Sequence, residues 1–173
     1  MAWNKTIEEF IRESNAIEGV YGEEQFEDAK QAWKTLEQHT FISPHLIKEI
    51  HGILMQNRGA WSEPDFMKKY ISKFRDCPVY IGGHEAMNSD LIPEAIQNWC
   101  YHMNTSKEKD EVKSKELHVE YESIHPFIDG NGRTGRMFMN WWRLQRGMGV
   151  LVIHADWPDQ EGEQANYYKW FKQ

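Results

Sequence analysis

Apolar residues recur at helical spacing through most of the chain. Ile7, Phe10, Ile11 and Ile17 form a first stripe, Phe26, Ala29, Trp33 and Leu36 a second, and Leu46, Ile50, Ile53 and Leu54 a third. Recurrence every three or four residues marks a helix that buries one face. Boundary signals agree with these stripes. Thr6 with Glu9 reads as a capping box, Gly19 or Gly22 as a stop, and Ser43-Pro44 as the N-cap and first residue of the third helix. Asn57-Arg58-Gly59 reads as that helix's end. Pro93 opens a fourth helix with Ile96, Trp99, Cys100 and Met103 inward. Leu117, Tyr121 and Ile124 mark a fifth, ended by Pro126, and Met137, Trp141 and Leu144 a sixth that stops near Gly147. The polar stretch 104–115 reads as the loop between the fourth and fifth. Residues 162–173, with Tyr167, Tyr168, Trp170 and Phe171, predict a closing helix.

Residues 57–90 break the helical period and are punctuated by Pro64, Pro78 and Gly82-Gly83. Val79-Tyr80-Ile81 ahead of the two glycines predicts the first strand of a hairpin. Residues 150–153 predict a short strand or extended core segment. No repeat, low-complexity tract or linker interrupts the chain. The pattern predicts one all-α domain over 1–173 with a single small β-hairpin.

Composition narrows the function classes. With 173 residues, 40% of them hydrophobic, the chain is long and apolar enough for one sizeable core. Its formal charge of −7 argues against sequence-independent nucleic-acid binding; the densest basic run, Met67-Lys68-Lys69, is short. Cys77 and Cys100 have no CxxC spacing, which argues against a disulfide framework or a zinc site. No stretch of 18 apolar residues and no secretory leader pattern is present, so the expectation is a soluble cytoplasmic protein with no membrane partner. His118, Glu122 and His125 share helical spacing. They lack the HExxH pattern and a third ligand, so His118 and Glu122 are read as structural rather than zinc-binding.

Candidate chemistry concentrates in His125-Pro126-Phe127-Ile128-Asp129-Gly130-Asn131-Gly132-Arg133-Thr134-Gly135-Arg136. A glycine-rich turn that feeds a helix N-terminus offers free N–H groups and a helix dipole to an anion. Arg133 and Arg136, three apart, add two guanidinium forks on one face. Asp129 supplies a carboxylate for a hard cation such as Mg²⁺, which commonly takes one or two protein carboxylates and completes its shell with phosphates and water. His125 adds a base whose free pKa lies near neutrality. Any one of these features is ordinary. Together, within twelve residues, they point to chemistry on a polyphosphate.

The same stretch resembles the Fic family signature, H-x-F-x-[D/E]-G-N-G-R-x-x-R, at every fixed position. The resemblance implies an all-α Fic fold with a catalytic core over about 40–160, and a protein adenylyltransferase that moves AMP from ATP to a Ser, Thr or Tyr hydroxyl of a target protein. It implies His125 as the base that deprotonates that hydroxyl, Asp129 as the Mg²⁺ ligand, and Gly130, Asn131 and Gly132 as the anion hole. Arg133 and Arg136 would hold the outer phosphates, Phe127 would anchor the loop, and Tyr167 and Tyr168 would lie near the nucleotide base. Ser14, Glu18 and Gly19 fill the family's inhibitory-helix pattern [S/T]-x-x-x-E-[G/N] within a helix over about 6–19. That pattern implies that Glu18 pairs with Arg136 and obstructs the γ-phosphate. Tyr80, Ile81, Gly82 and Gly83 resemble the family's flap, implying a target peptide held by strand addition. Self-association is also frequent among family members. Doc-like kinases carry Lys in place of the second glycine, so Gly132 favours nucleotidyl transfer. Use of another nucleotide, removal of AMP from a modified target, and a non-catalytic nucleotide-binding module are the alternatives.

Overall fold

The computed structural model describes residues 5–57, 68–156 and 161–172; Arg58, Gly59, Pro64 and Met67 of the sequence reading lie outside these. Seven α-helices and one hairpin are present among the described residues: α1 (Lys5–Ile17), α2 (Glu23–Glu37), α3 (Pro44–Met55), β1 (Tyr80–Ile81), β2 (His84–Glu85), α4 (Ile92–Thr105), α5 (Glu111–Ile124), α6 (Asn131–Gln145) and α7 (Glu163–Tyr168). Helix α6 is the hub. It touches α1, α2, α3 and α5, and every residue from Arg133 to Arg143 is buried. A helix apolar on one face alone could not sit there; Met137, Phe138, Met139, Trp141 and Trp142 cover most of its circumference. Trp33, Ile47, Ile96, Trp99, Tyr121 and Phe127 complete the main core around it. A smaller cluster of Ile17, Met139, Ile153 and Tyr167 fastens the end of α1 to α6 and the C-terminal segment.

Several boundaries follow the sequence signals. The Ser43 hydroxyl accepts from the Leu46 N–H at 3.1 Å, with Pro44 opening α3. Tyr80 pairs with Glu85 and Ile81 with His84 across Gly82 and Gly83, whose φ values of 56° and 86° suit a tight hairpin turn. Other boundaries differ. Helix α1 already runs at Lys5, so Thr6 is inside it rather than its cap. The loop predicted over 104–115 is much shorter: Asn104 stays in α4 and clamps the Ile42 backbone N–H and C=O at 2.9 and 2.8 Å, while Asp110 caps α5 by accepting from the Lys113 N–H at 2.7 Å. Local polarity hid both roles, because these side chains satisfy backbone groups rather than solvent. Pro93 falls at the second position of α4, after a 3₁₀ turn over Ser89–Leu91. Residues 150–153 are extended without a strand partner among the described residues; Asn140 accepts from the Leu151 N–H at 2.7 Å and donates to its C=O at 3.0 Å. The closing helix is one and a half turns of α7 followed by a 3₁₀ turn over Lys169–Phe171. No helix among the described residues is long and apolar enough to cross a membrane.

Candidate active site

The loop between α5 and α6 is held by a few directed contacts. His125 caps α5 in the left-handed region, φ 48° and ψ 63°, a conformation that costs a non-glycine residue about 1–3 kcal/mol unless its surroundings enforce it. Buried Arg75 supplies that enforcement. Its Nε donates to the His125 carbonyl at 2.8 Å, its backbone N–H to the Pro126 carbonyl at 2.9 Å, and its Nη1 to the Cys77 carbonyl at 2.9 Å. Nη2 also donates to the Met87 carbonyl. One guanidinium therefore ties the histidine to both ends of the hairpin segment. Sequence reasoning missed Arg75, since its acceptors are carbonyls up to fifty residues away and leave no local pattern.

Phe127 is buried and stacks on His51 with ring centroids 3.7 Å apart. The His51 Nδ1 accepts from the Ser72 N–H at 3.1 Å, so its Nε2 carries the proton and donates to the Asp129 carbonyl, also at 3.1 Å. Burial, first, and the Arg133 charge lower the His51 pKa to about 4, which keeps this ring neutral. The Asn131 carboxamide closes the turn by accepting from the Phe127 N–H and donating to its C=O, both at 2.9 Å. The Asn131 side chain is thus committed to the turn, and its backbone N–H is the group it presents at the helix start. Gly130, at φ 81°, is the N-cap of α6; a Cβ there would lie 2.8 Å from Met55 Sδ. Helix geometry leaves the N–H groups of Asn131, Gly132 and Arg133 without an intrahelical acceptor, on the first turn of a fifteen-residue helix.

Arg136 is 2% exposed and fully engaged. Nε donates to Ser14 Oγ at 2.9 Å, Nη2 to the Ser14 carbonyl at 3.0 Å and to Glu18 Oε1 at 2.7 Å, and Nη1 to the Tyr167 hydroxyl at 3.0 Å. The end of α1 explains how Glu18 reaches it. The Gly19 N–H bonds the Ala16 carbonyl at 2.9 Å and the Val20 N–H bonds the Asn15 carbonyl at 3.0 Å, a Schellman stop with Gly19 at φ 66°. Glu18 is the residue just before that glycine, and the turn aims it at α6. Gly132 lies beneath the pair, where a Cβ would stand 2.2 Å from Glu18 Oε1 and 2.9 Å from Arg136 Nη1. Arg133 is also buried, with Nη2 2.9 Å from Met55 Sδ.

A cavity of about 410 Å³ opens over this arrangement, lined in part by Glu18, Ile81, Glu122, His125, Gly132 and Tyr168. Tyr167 also borders it, but its ring is buried and its hydroxyl is spent: it accepts from Arg136 and meets His118 Nε2 at 2.9 Å. Tyr168 is 44% exposed. Of the hairpin, Ile81 reaches the cavity, whereas Tyr80 is 68% exposed beside Gly82 and Gly83. The His125 pKa is lowered to about 4, by burial and then by the Arg75 charge, against opposing contributions from Glu122, Glu18 and Asp129. The imidazole is neutral at pH 7, as a proton acceptor must be. Glu122, which the sequence marked as structural, is half-buried beside it, with Oε1 shielded from solvent and its pKa raised to about 8 by desolvation. Spacing was the only available clue: Glu122 and His125 are three apart on one helix.

Asp129 accepts from the Gly130 N–H at 2.6 Å. No group of three or more His, Cys, Asp or Glu side chains that could hold a metal exists among the described residues. A single carboxylate next to a helix N-terminus is the donor set that would suit a Mg²⁺ ion drawing its other ligands from phosphates and water. It does not fit zinc or an all-protein calcium cage.

This geometry can be set beside known proteins. The Fic/DOC family model matches residues 41–142. The chain belongs to the Fic/DOC family. Curated relatives include the "Protein adenylyltransferase Fic" of Drosophila ananassae, 31% identical over 103 residues that make up 58% of this chain and 20% of that protein. The Drosophila melanogaster protein of the same name is 30% identical over 103 residues, with the same coverage. The match thus spans about a fifth of the length of these relatives. Among solved structures, a Fic-domain signalling protein from Bacteroides thetaiotaomicron superposes with a TM-score of 0.75 at 19% identity, covering 98% of this chain and 71% of that one. Fic-1 from C. elegans (residues 134–508) gives 0.71 at 19%, covering 96% and 54%. The fold is accordingly a Fic fold, all-α with a small hairpin. The structure gathers Glu18, Ile81, His125, Gly132, Tyr167 and Tyr168 around one cavity, with Arg136 and Ser14 buried behind Glu18.

Proposed function

We propose that this chain is a protein adenylyltransferase that moves AMP from ATP to a hydroxyl of a target protein, held in check by its own α1. The observation that carries the reading is the 2.7 Å ion pair of Glu18 with Arg136, made on top of Gly132 at the N-terminus of α6. A carboxylate there occupies a buried guanidinium fork beside the first turn of α6, whose N–H groups point out of the helix end, the arrangement that an outer phosphate would otherwise take. The names of the Drosophila relatives support the same reaction class.

In the active form the phosphates lie against the N–H groups of residues 131–133, with Arg136 released from Glu18 to neutralise the outer phosphate charge. His125 Nδ1 is buried, so Nε2 is the nitrogen turned to the cavity. It takes the proton of the target hydroxyl as that oxygen attacks the α-phosphorus. A new P–O ester bond forms, the bond from the α-phosphorus to the bridging oxygen breaks, and pyrophosphate leaves with the electron pair. Asp129 would hold Mg²⁺, which supplies charge neutralisation to the phosphates when bound. The exposed edge of β1 at Tyr80 and Ile81 would pair with an extended target segment.

Intact mass after incubation with Mg²⁺ and each nucleotide in turn tests the reading without knowledge of the target. Glu18→Gly should gain one AMP by self-modification, whereas wild type and Glu18→Gly/His125→Ala should not. A Glu18→Gly protein no more active than wild type on any substrate would end the inhibition proposal. Transfer by His125→Ala would end the base assignment.

A further inference from the structure

Glu122 has no part in the chemistry so far, yet its surroundings are unusual. It lies three residues before His125 on the last turn of α5, with Oε2 3.8 Å from His125 Nδ1. Its Oε1 and His125 Nδ1 are both buried without a hydrogen-bond partner among the described residues. Two such atoms each carry a desolvation cost of about 1–3 kcal/mol unless they pair. The carboxyl is also confined. A Cβ on Gly135 of α6 would stand 2.7 Å from Glu122 Oε1 and 2.9 Å from the His118 ring, so α6 closes off retreat on that side. What remains open is the side that faces His125 and the cavity.

We propose that Glu122 is the positioning residue for His125: its carboxyl accepts the Nδ1–H of the imidazole and so fixes the tautomer whose Nε2 faces the cavity as a base. The inference rests on the reading of His125 as the base. A gap of 3.8 Å is longer than a hydrogen bond, but contacts between a base and the group that orients it commonly tighten only with substrate in place. Removing the partner of a base leaves nucleotide binding intact and lowers turnover, because the wrong tautomer offers no lone pair to the hydroxyl. The charged groups around the pair act in known directions. Arg136 favours the ionised form of Glu122 and Glu18 opposes it, while Arg75 disfavours and Asp129 and Glu18 favour protonated His125. The competing acceptor is the backbone carbonyl of Glu122, which also lies near the ring.

The test is ¹⁵N NMR of the histidine-labelled full chain, with the His125 signal assigned by its loss in His125→Ala. The substitution Glu122→Met keeps the volume and removes the acceptor; exchanging a buried carboxyl for an apolar side chain of similar size is commonly neutral or stabilising. Wild type should show His125 as the Nδ1–H tautomer, and Glu122→Met should show it mixed or shifted to Nε2–H. In the Glu18→Gly background the Met substitution should lower kcat about 100-fold with nucleotide Kd unchanged, within the range of a positioned base. Retention of the Nδ1–H tautomer in Glu122→Met would overturn the proposal and assign the role to the backbone carbonyl. An Nε2–H tautomer in wild type would overturn it outright. Wild type carries a further check that needs no variant: the His125 Nδ1 shift should move as Glu122 ionises, near its raised pKa of about 8, and a flat response sinks the pairing. The tautomer readout does not use activity. Transfer by His125→Ala would therefore remove the base assignment without being mistaken for a failure of the Glu122 contact.

Discussion

At the scale of single residues, glycines of α6 act by what they leave out. Gly135 sits inside α6, where alanine would be favoured by roughly 1 kcal/mol on helix propensity alone. Its Cβ would nevertheless press on the Glu122 carboxyl and the His118 ring, and the ring is stacked on Tyr167 with little freedom to yield. Overpacking of this kind costs about 1–3 kcal/mol, so it outweighs propensity. Gly135→Ala is expected to lower the Tm by several degrees in calorimetry; an unchanged or raised Tm would show that the neighbours can give way. Gly132 differs, because the atom in its way is the tip of Glu18, a flexible side chain. The signature specifies glycine at 132 and leaves 135 open, so the packing reason for Gly135 is visible only in the structure.

At the scale of elements, α1 is a lever whose end matters more than its length. The Schellman stop at Gly19 sets where Glu18 points, and Ile17 locks that end into the small cluster with Met139, Ile153 and Tyr167. Nothing lies within 4 Å of a Cβ at Gly19, so the cost of Gly19→Ala is purely that of a left-handed alanine, about 1–2 kcal/mol. Fraying there loosens the carboxylate from Arg136. Basal self-modification by Gly19→Ala should therefore fall between those of wild type and Glu18→Gly, as followed by mass. A rate equal to wild type would mean that the ion pair holds Glu18 without help from the turn. The hairpin is the opposite kind of element: its two glycines at positive φ were legible, but its anchorage through Arg75 was not.

For the molecule as a whole, buried titratable groups predict how stability depends on pH. His51, His118 and His125 have pKa values lowered to about 4, 3 and 4, chiefly by burial. Each takes up a proton near 6.5 when unfolded but not when folded, so their contribution is present above 6.5 and is lost as pH falls toward 4. Glu122 works in the other direction. Its pKa is raised to about 8, so folding is favoured below the unfolded value near 4.3 and penalised as pH climbs toward 8. Tm should therefore rise from pH 4 to about 6.5 and then level or decline. The Glu122→Met protein should lose the decline while keeping the rise. A wild-type Tm that falls between pH 4 and 6.5 would contradict the neutral state of the three histidines.

The sequence by itself determined the helical class, the hairpin and the contents of the glycine-rich turn. It could do so because those depend on periodicity, on glycine's conformational range and on residues within one stretch of twelve. The pairing of Ser14 and Glu18 with Arg136 was accessible only through family resemblance, since more than a hundred residues separate the partners. Tertiary structure alone decided the rest. It buried Glu122 against Gly135 beside His125, gave the Tyr167 hydroxyl to Arg136, turned the Asn131 carboxamide back onto Phe127, and set Arg75 under four carbonyls. Each of these outcomes satisfies a buried polar group or fills a space through contacts between distant segments, and no local pattern encodes which distant group will arrive.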